Sequence, residues 1–231
     1  MRGFGIVHRG RVIATVIVAA LIASLATSRI AQCTDLTTPS FLVATRELGD
    51  PLFVHSVILM VPSTEPPLLA GLIINTPAKL RVRDMFPQVS GLQRPDETTY
   101  MGGPVEPEEV SAIFRASSPQ SSATRVFDDV YVAVGRDAIA AVLKDPRITE
   151  LRVISGKAQW LHDQLLGEVM AGAWYVIPAK ADLVFSDPKD LWSTLVKGGD
   201  LQEAEAGLDL EMKLPYRLLG GTNWQRRISP N

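Results

Sequence analysis

Two histidines and two aspartates are the residues of this sequence that could together hold a metal ion. His55 follows Asp50 at a short distance, and His162 is directly followed by Asp163. Imidazole nitrogens and carboxylate oxygens are common ligands of zinc, so the two pairs could form one site. However, His55 lies within an apolar stretch that predicts a strand, and His162 is next to the apolar face of a predicted helix. We therefore expect both histidines to be structural and the protein to need no cofactor.

The sequence lacks the patterns of hydrolases that use an activated nucleophile. It contains no Gly-x-Ser-x-Gly, the pattern that places a reactive serine on a tight turn. Ser56 is adjacent to His55, but neighbouring residues of a strand point to opposite faces and cannot act as a pair. The single cysteine, Cys33, can form neither an intramolecular disulfide nor a zinc site of the cysteine type. No complete catalytic set is therefore evident.

Polar residues and residues with unusual backbone freedom gather instead in the predicted loops. Gly102-Gly103-Pro104 could present N–H groups to an anion, or it could allow two stretches of backbone to cross. Asn75 could bind a ligand or cap a turn, and Trp160 could anchor a partner or belong to the core. The candidate binding residues are Asp50, Pro51, Asn75, Gly102, Gly103, Pro104, Trp160, Asp163 and Gln164.

These candidates support two hypotheses of different classes. The first is a non-enzymatic protein that binds another protein or a small-molecule ligand through these loops. The alternative is an enzyme of unknown class that uses Asp50, Asn75 and Asp163 as acid, base or polar groups. The enzyme hypothesis requires these three side chains to converge in one pocket, within hydrogen-bonding reach of a substrate.

Hydrophobic periodicity and turn residues predict interleaved strands and helices. Strands are predicted at 41–45, 54–61, 70–75, 130–134, 151–154, 174–177 and 183–185, and a strand ends at 113–114. Helices are predicted at 80–86, 137–143, 160–170 and 188–196, with a further helix start at 106–109 that is limited by Pro107. The order lacks the regular repeat of a doubly wound sheet, which favours an α+β fold or a mixed sheet.

Length and charge suit one acidic globular domain. The chain has 231 residues, of which 46% are hydrophobic, which is enough for one domain with its own core. Four of the 23 basic residues and none of the 25 acidic residues lie in residues 1–33, so residues 34–231 carry a net charge of −6. An acidic body without a basic run is repelled by a phosphate backbone. We expect no nucleic-acid partner.

The first 33 residues form a targeting segment. A basic start precedes an apolar run at 12–26, which spans about 22 Å as a helix and is shorter than the ~30 Å core of a bilayer. This pattern is typical of a secretory signal, which could be cut after Ser28. The segment could also remain as an anchor, or Cys33 could carry a lipid. In each case the protein is exported, is periplasmic or tethered to the inner membrane, and contacts a membrane only through this segment.

The predicted organisation therefore has four parts. Residues 1–33 are the signal or anchor, 34–40 a linker, 41–197 the domain, and 198–231 a polar tail. Within the domain, four motifs follow one another. They are Phe41-Leu42-Val43-Ala44 with Asp50-Pro51-x-Phe53 and Ser56-Val57-Ile58; Gly71-Leu72-Ile73-Ile74-Asn75-x-Pro77; Gly102-Gly103-Pro104-Val105; and Gly156-x-Ala158-x-Trp160 with Gln164-Leu165, Glu168 and Ala173-Trp174.

In this order the motifs resemble the YqgE/AlgH family of bacterial and plastid proteins. The resemblance implies a single compact α+β domain, with a mostly antiparallel, bifurcated, barrel-like sheet flanked by helices. It implies no established reaction. The family name suggests transcriptional regulation, which the export segment and the acidic body of this chain disfavour. Analogy at the level of the fold is a weak guide to function in any case.

Overall fold

The computed structural model describes residues 39–118 and 121–208, with side chains described up to residue 199. The predicted signal or anchor segment, most of the linker and the end of the polar tail lie outside the described residues, so their assignment stays a prediction. Among the residues that are described, no helix is long and apolar enough to cross a membrane. The chain divides into two units after Val196, and the contacts given below all lie in the first unit.

Strands dominate the described part of the chain. They are β1 (Ser40–Ala44), β2 (Val57–Val61), β3 (Leu68–Ile73), β4 (Pro77–Arg81), β5 (Thr98–Met101), β6 (Val105–Arg115), β7 (Thr124–Phe127), β8 (Val130–Val134), β9 (Leu151–Leu161) and β10 (Trp174–Pro178). The helices are α1 (Val82–Met85), α2 (Arg136–Lys144), α3 (His162–Met170), α4 (Ala181–Val184) and α5 (Pro188–Leu208).

The strands form one curled, branched sheet in the order β10-β1-β2-β3-β9-β6-β8-β7. All neighbours along this path are antiparallel. The long strand β9 creates the branch, because its second half pairs with β3 while its first half pairs with β6 and, in parallel, with β5. Strand β4 is attached only through β5. This architecture confirms the α+β class and the mostly antiparallel, bifurcated, barrel-like sheet.

Both faces of the central strands are buried, which explains their unbroken apolar sequences. In β1, Phe41 and Val43 belong to a core cluster with Ile113, Ile154 and residues of α5. The alternate residues Leu42 and Ala44 pack into a second cluster under α3, because successive side chains of a strand point to opposite faces. A third cluster lies under α2. Helices therefore contribute to the core on both faces of the sheet.

The predicted helix start at 106–109 is wrong, because these residues belong to β6. The pairing of β6 with β9 shifts register between Val105 and Val110, and Glu106 within this irregularity has a positive φ of 47°. Pro107 has no N–H to donate, so it is tolerated where the ladder is already interrupted. A proline that suggests the first turn of a helix here marks a bulge in a long strand.

Three further predictions of local structure are corrected by tertiary contacts. Trp160 ends a strand instead of starting a helix, because pairing with Leu69 extends β9 to Leu161. Residues 183–185, predicted as a strand, contribute instead to the short helix α4, which buries Val184 against the core. His55 does not lie in a strand, since β2 begins only at Val57. The polar strands β4 and β5 carry little apolar pattern and were not predicted.

Candidate functional site

Asp50 and Pro51 lie at the start of a surface turn, residues 50–55, that connects β1 to β2. The Asp50 carboxylate oxygen Oδ1 accepts the Leu52 N–H at 2.8 Å. The Asp50 carbonyl accepts the N–H groups of Phe53 and Val54 at 3.1 and 2.8 Å. A side chain that bonds the backbone two residues ahead builds an Asx turn. Asp50 therefore shapes the 50–55 turn with its own polar atoms.

Asn75 closes the same turn from the end of β3. Its Oδ1 accepts the Val57 N–H at 2.8 Å, and its Nδ2 donates to the His55 carbonyl at 2.9 Å. His55 has a positive φ of 59°, a conformation that non-glycine residues seldom adopt. Its ring lies against the Trp192 ring of α5, with centroids 4.0 Å apart. The amide of Asn75 is thus used to hold the turn in this conformation.

The 50–55 turn partly buries Phe53 and exposes the two apolar residues beside it. The Phe53 ring packs between the indoles of Trp174 and Trp160, at centroid distances of 5.7 and 6.2 Å. Leu52 is 60% exposed and Val54 is 45% exposed. The turn is therefore anchored at Phe53 and presents two apolar side chains to solvent on a clamped backbone.

Gly102-Gly103-Pro104 allows two stretches of backbone to cross. A Cβ on Gly102 would lie closer than 3.0 Å to the Gly156 carbonyl oxygen, and one on Gly103 would lie equally close to the Lys157 carbonyl. The Gly102 N–H donates to the Ser155 carbonyl at 2.7 Å. Since this N–H is already bonded within the protein, we do not place an anion on it.

Trp160 and Gln164 belong to a polar clasp around Glu168 of α3. The Glu168 oxygen Oε2 accepts the indole N–H of Trp160 at 3.1 Å and that of Trp174 at 2.9 Å. Its Oε1 accepts the side-chain amide of Gln164 at 3.0 Å. Both indoles are buried, and a buried indole N–H needs such an acceptor. The fourth motif therefore attaches α3 to the sheet.

Asp163 does not converge with Asp50 and Asn75. Its side chain is fully exposed, and its Oδ1 lies 3.3 Å from Nδ1 of His162. The register of Leu68 with Leu161 places Asp163 beyond one end of β3, whereas Asn75 follows the other end. The six residues of β3 separate these ends by roughly 17 Å at ~3.3 Å per residue, well beyond hydrogen-bonding reach. The pocket that the enzyme hypothesis requires is therefore not formed by these three residues.

A cleft that the sequence analysis did not identify opens between β5, the start of β9 and the start of α5. Its volume is about 480 Å³, within the range of about 300–1,000 Å³ that is usual for small-molecule sites. The lining residues come from three separate segments: Arg94, Glu97, Thr98, Tyr100, Thr149, Glu150, Leu151, Arg152, Phe185, Ser186, Asp187 and Pro188.

Arg152 is the buried charge of this cleft, and its side chain is only 4% exposed. Its Nη1 donates to the Ile74 carbonyl and its Nη2 to the Ser186 carbonyl. The guanidinium carbon lies 4.7 Å from the centroid of the Tyr100 ring, in a cation–π arrangement. Burial lowers the pKa of the Arg152 guanidinium, although the proximity of Tyr100 and Asp187 opposes this effect. The sequence signal for this site is a charged residue inside the apolar run 151–154.

A second buried cation, Lys157, is fully paired. Its Nζ lies 2.9 Å from Glu65 Oε1, 2.6 Å from Glu106 Oε2 and 2.9 Å from Glu109 Oε2. Burial by itself would lower the pKa of Lys157, but hydrogen bonds to the three carboxylates outweigh it and raise this pKa. In turn, the hydrogen bond from Lys157 lowers the pKa of Glu106. Within the described residues, no group of three His, Cys, Asp or Glu side chains is arranged to hold a metal ion.

Comparison with known proteins identifies the family. Residues 41–202 match the family model DUF179, described as AlgH-like. The chain belongs to the AlgH-like family. A UPF0301 protein of Myxococcus xanthus is 34% identical over 164 residues, which cover 69% of this chain and 89% of the relative. A UPF0301 protein of Chromobacterium violaceum is 31% identical over 153 residues, covering 64% and 81% of the two chains.

Two solved structures share the fold of this AlgH-like domain. The AlgH protein of Pseudomonas aeruginosa matches with a TM-score of 0.51 and 24% identity, over 80% of this chain and 93% of that one. Protein DIP2367 of Corynebacterium diphtheriae matches with a TM-score of 0.57 and 23% identity, over 68% and 84%. At this level of identity the likeness describes architecture alone. The candidate sites are therefore judged by their own geometry.

Proposed function

We propose that this AlgH-like protein is a non-catalytic binding protein of the cell envelope, and that another protein docks on its 50–55 turn. The observation that carries the proposal is the exposure of Leu52 and Val54 on a backbone clamped by Asp50 and Asn75. Single exposed apolar residues are common on protein surfaces. Two of them on one rigid turn, held over an aromatic anchor, form a preorganised docking element for a partner with an apolar recess.

The energetics of the turn support this function. The left-handed conformation of His55 costs on the order of 1 kcal/mol or more, and such strained residues cluster at ligand clamps and switch regions. The Asn75 hydrogen bonds and the contact of His55 with Trp192 offset this cost. A turn that is already ordered loses little conformational freedom when a partner binds, which favours affinity.

Replacement of the two exposed side chains tests the docking element. We expect Leu52→Ser/Val54→Ser to reduce recovery of the partner from envelope extracts at least about fivefold, roughly the loss of 1 kcal/mol of binding energy. The matched control is Leu80→Ser/Met101→Ser, two residues of β4 and β5 that are 52% and 51% exposed. All four positions are at the surface, so the unfolding midpoints should stay close to that of the wild type.

Three results bear on this proposal. Loss of one specific protein with the turn variant, and not with the control variant, supports it. Asn75→Ala should weaken the same interaction, because it removes both hydrogen bonds that hold His55 and Val57. Equal recovery of every captured protein by the wild type, the turn variant and Asn75→Ala contradicts the docking site.

The envelope location rests on the N-terminal segment. We expect mass spectrometry of the mature protein from fractionated cells to find a new N-terminus at Arg29 if the signal is cut after Ser28. A start at a lipidated Cys33 indicates a lipoprotein, and an intact chain in the membrane fraction indicates an anchor. An intact chain that starts at Met1 and is recovered with cytoplasmic markers contradicts export. The acidic body of residues 34–231 remains the argument against a nucleic-acid partner.

A further inference from the structure

The cleft over Arg152 contains a buried cation that forms no ion pair with the described residues. Five charged side chains line this cleft. Arg94 and Glu97 form an ion pair with each other, and Glu150 accepts a hydrogen bond from Arg115 at 3.1 Å. Asp187 accepts the Lys189 N–H at 2.9 Å at the start of α5. Arg152 is the most buried of the five. Among the described residues it has no carboxylate within ion-pair distance, although Asp187 is near enough to favour its charged form.

A buried, unpaired cation is unfavourable unless something compensates for it. An apolar side chain of similar size would fill the same space in β9 without this cost. The two carbonyl oxygens use only two of the five N–H donors of the guanidinium. The other three donors make no bond to the described residues, and Arg152 belongs to the lining of the cleft.

We propose that the cleft binds a small organic oxyanion, a carboxylate or a phosphate monoester, whose anionic head is held by Arg152. The planar fork of a guanidinium matches the two oxygens of either head group. The apolar lining from Tyr100, Leu151, Phe185 and Pro188 would cover the body of the ligand. The volume of about 480 Å³ is larger than inorganic phosphate needs, which favours an organic molecule over a bare ion.

The charge and the shape of the ligand can be tested separately on the wild-type protein. Benzoate, phenyl phosphate, inorganic phosphate and the neutral analogue benzamide are titrated while the backbone amide signals are followed by NMR. We expect benzoate or phenyl phosphate to bind with Kd below about 1 mM and to shift the signals of Tyr100, Arg152 and Ser186. Benzamide, which has the shape of benzoate without its charge, should bind at least about tenfold more weakly.

Two variants then test whether Arg152 supplies the positive charge that binds the anion. Arg152→Gln should weaken binding of the better anion at least about tenfold, and Arg152→Lys should recover only part of it, because it restores the charge without the fork. Arg125→Gln, at an exposed arginine of β7 that does not line the cleft, is the control and should change affinity less than about threefold. The tighter of benzoate and phenyl phosphate identifies the natural head group.

The wild-type titration decides the outcome even if an Arg152 variant fails to fold. The proposal is overturned if neither organic anion binds, if the shifted signals lie outside the cleft, or if benzamide binds as tightly as benzoate. Preference for inorganic phosphate over both organic anions overturns the organic ligand. None of these results depends on the partner of the 50–55 turn, so this site and the proposed docking function stand or fall independently.

Discussion

Gly156→Ala is expected to destabilise the protein by about 3–4 kcal/mol. Gly156 has a positive φ of 72°, which costs an alanine roughly 1–2 kcal/mol. In addition, the new Cβ would lie closer than 3.0 Å to the carbonyl oxygen of Gly103, a backbone atom that cannot rotate away. Overpacking of this kind costs a further ~1–3 kcal/mol. For a chain of this size the loss lowers Tm by roughly 10 °C, which calorimetry can measure.

Gly172→Ala separates the two contributions. Gly172 has nearly the same backbone conformation, with φ of 76°, but a Cβ there would meet nothing within 4 Å. We therefore expect only the conformational cost, about 1 kcal/mol. If the two variants lose stability equally, the crossing of Gly102-Gly103-Pro104 with the backbone at Gly156 is not tight.

Lys157→Met is expected to cost about 2 kcal/mol at neutral pH. The methionine fills the space of the lysine stem, but it leaves Glu65, Glu106 and Glu109 facing one another without a cation. Removing one partner of a fully buried ion pair typically costs about 3–5 kcal/mol. The loss is smaller here because the three carboxylates are one third to one half exposed and water screens their repulsion. Lys79→Met, at an exposed lysine of β4, is the control.

The pH dependence of Lys157→Met provides a second measurement. In the wild type the pKa of Glu106 lies below its ordinary value of 4.5, so its contribution to stability is present above that value and is lost as pH falls through the lowered pKa. In the variant, repulsion between the carboxylates should raise their pKa values, so acid should stabilise it. The urea midpoints of the wild type and of Lys157→Met should therefore differ at about pH 7 and converge at about pH 4. A difference between the two proteins that is the same at both pH values would contradict the ionic explanation.

At alkaline pH the wild type should keep the stability that the ion pairs of Lys157 contribute. The pKa of Lys157 is raised above its ordinary value of 10.5, so the contribution is fully present below that value and is lost only as pH rises through the raised pKa. Between about pH 5 and about pH 10 the stability difference between wild type and Lys157→Met should therefore be nearly constant.

Local patterns predicted the elements whose own sequences are strongly apolar or periodic. The β-branched run 130–134 and the amphipathic stretch 137–143 are β8 and α2, with bounds shifted by a residue at most. The apolar stretch 41–45 is β1, with both faces buried as an unbroken apolar sequence implies. In these segments, propensity, periodicity and tertiary packing all favour the same structure.

The remaining elements depend on pairing that one sequence does not display. Strand β4 has mostly exposed side chains and is a strand only because β5 lies beside it. Trp160 belongs to an apolar pattern that is compatible with a helix, but its pairing with Leu69 places it in β9. In the sequence, Pro107 suggests the start of a helix. In the structure it lies in β6, at the irregularity in the pairing with β9.

The candidate sites also divide into residues that local sequence predicts and residues that only the fold brings together. Asp50 and Asn75 were predicted as special from turn chemistry, and both lie at the 50–55 turn, where they act on the backbone. The Arg152 cleft was missed, because it joins β9 to β5 and to the start of α5 across long stretches of sequence. Its sequence signal is one charged residue inside the apolar run 151–154. That signal does not show that Arg152 is buried without an ion pair, which is a property of the folded chain.

The position of β1 between β10 and β2 has a consequence for the synthesis of the chain. Strand β1 is made first, but its second neighbour, β10, pairs with it from more than a hundred residues further along. At about 5–20 residues per second, the ribosome completes β10 on the order of ten seconds after β1. For that interval one edge of β1, whose last four residues are apolar, has no neighbour. In the cell, the need for a holding chaperone is therefore concentrated on the first strand of the domain.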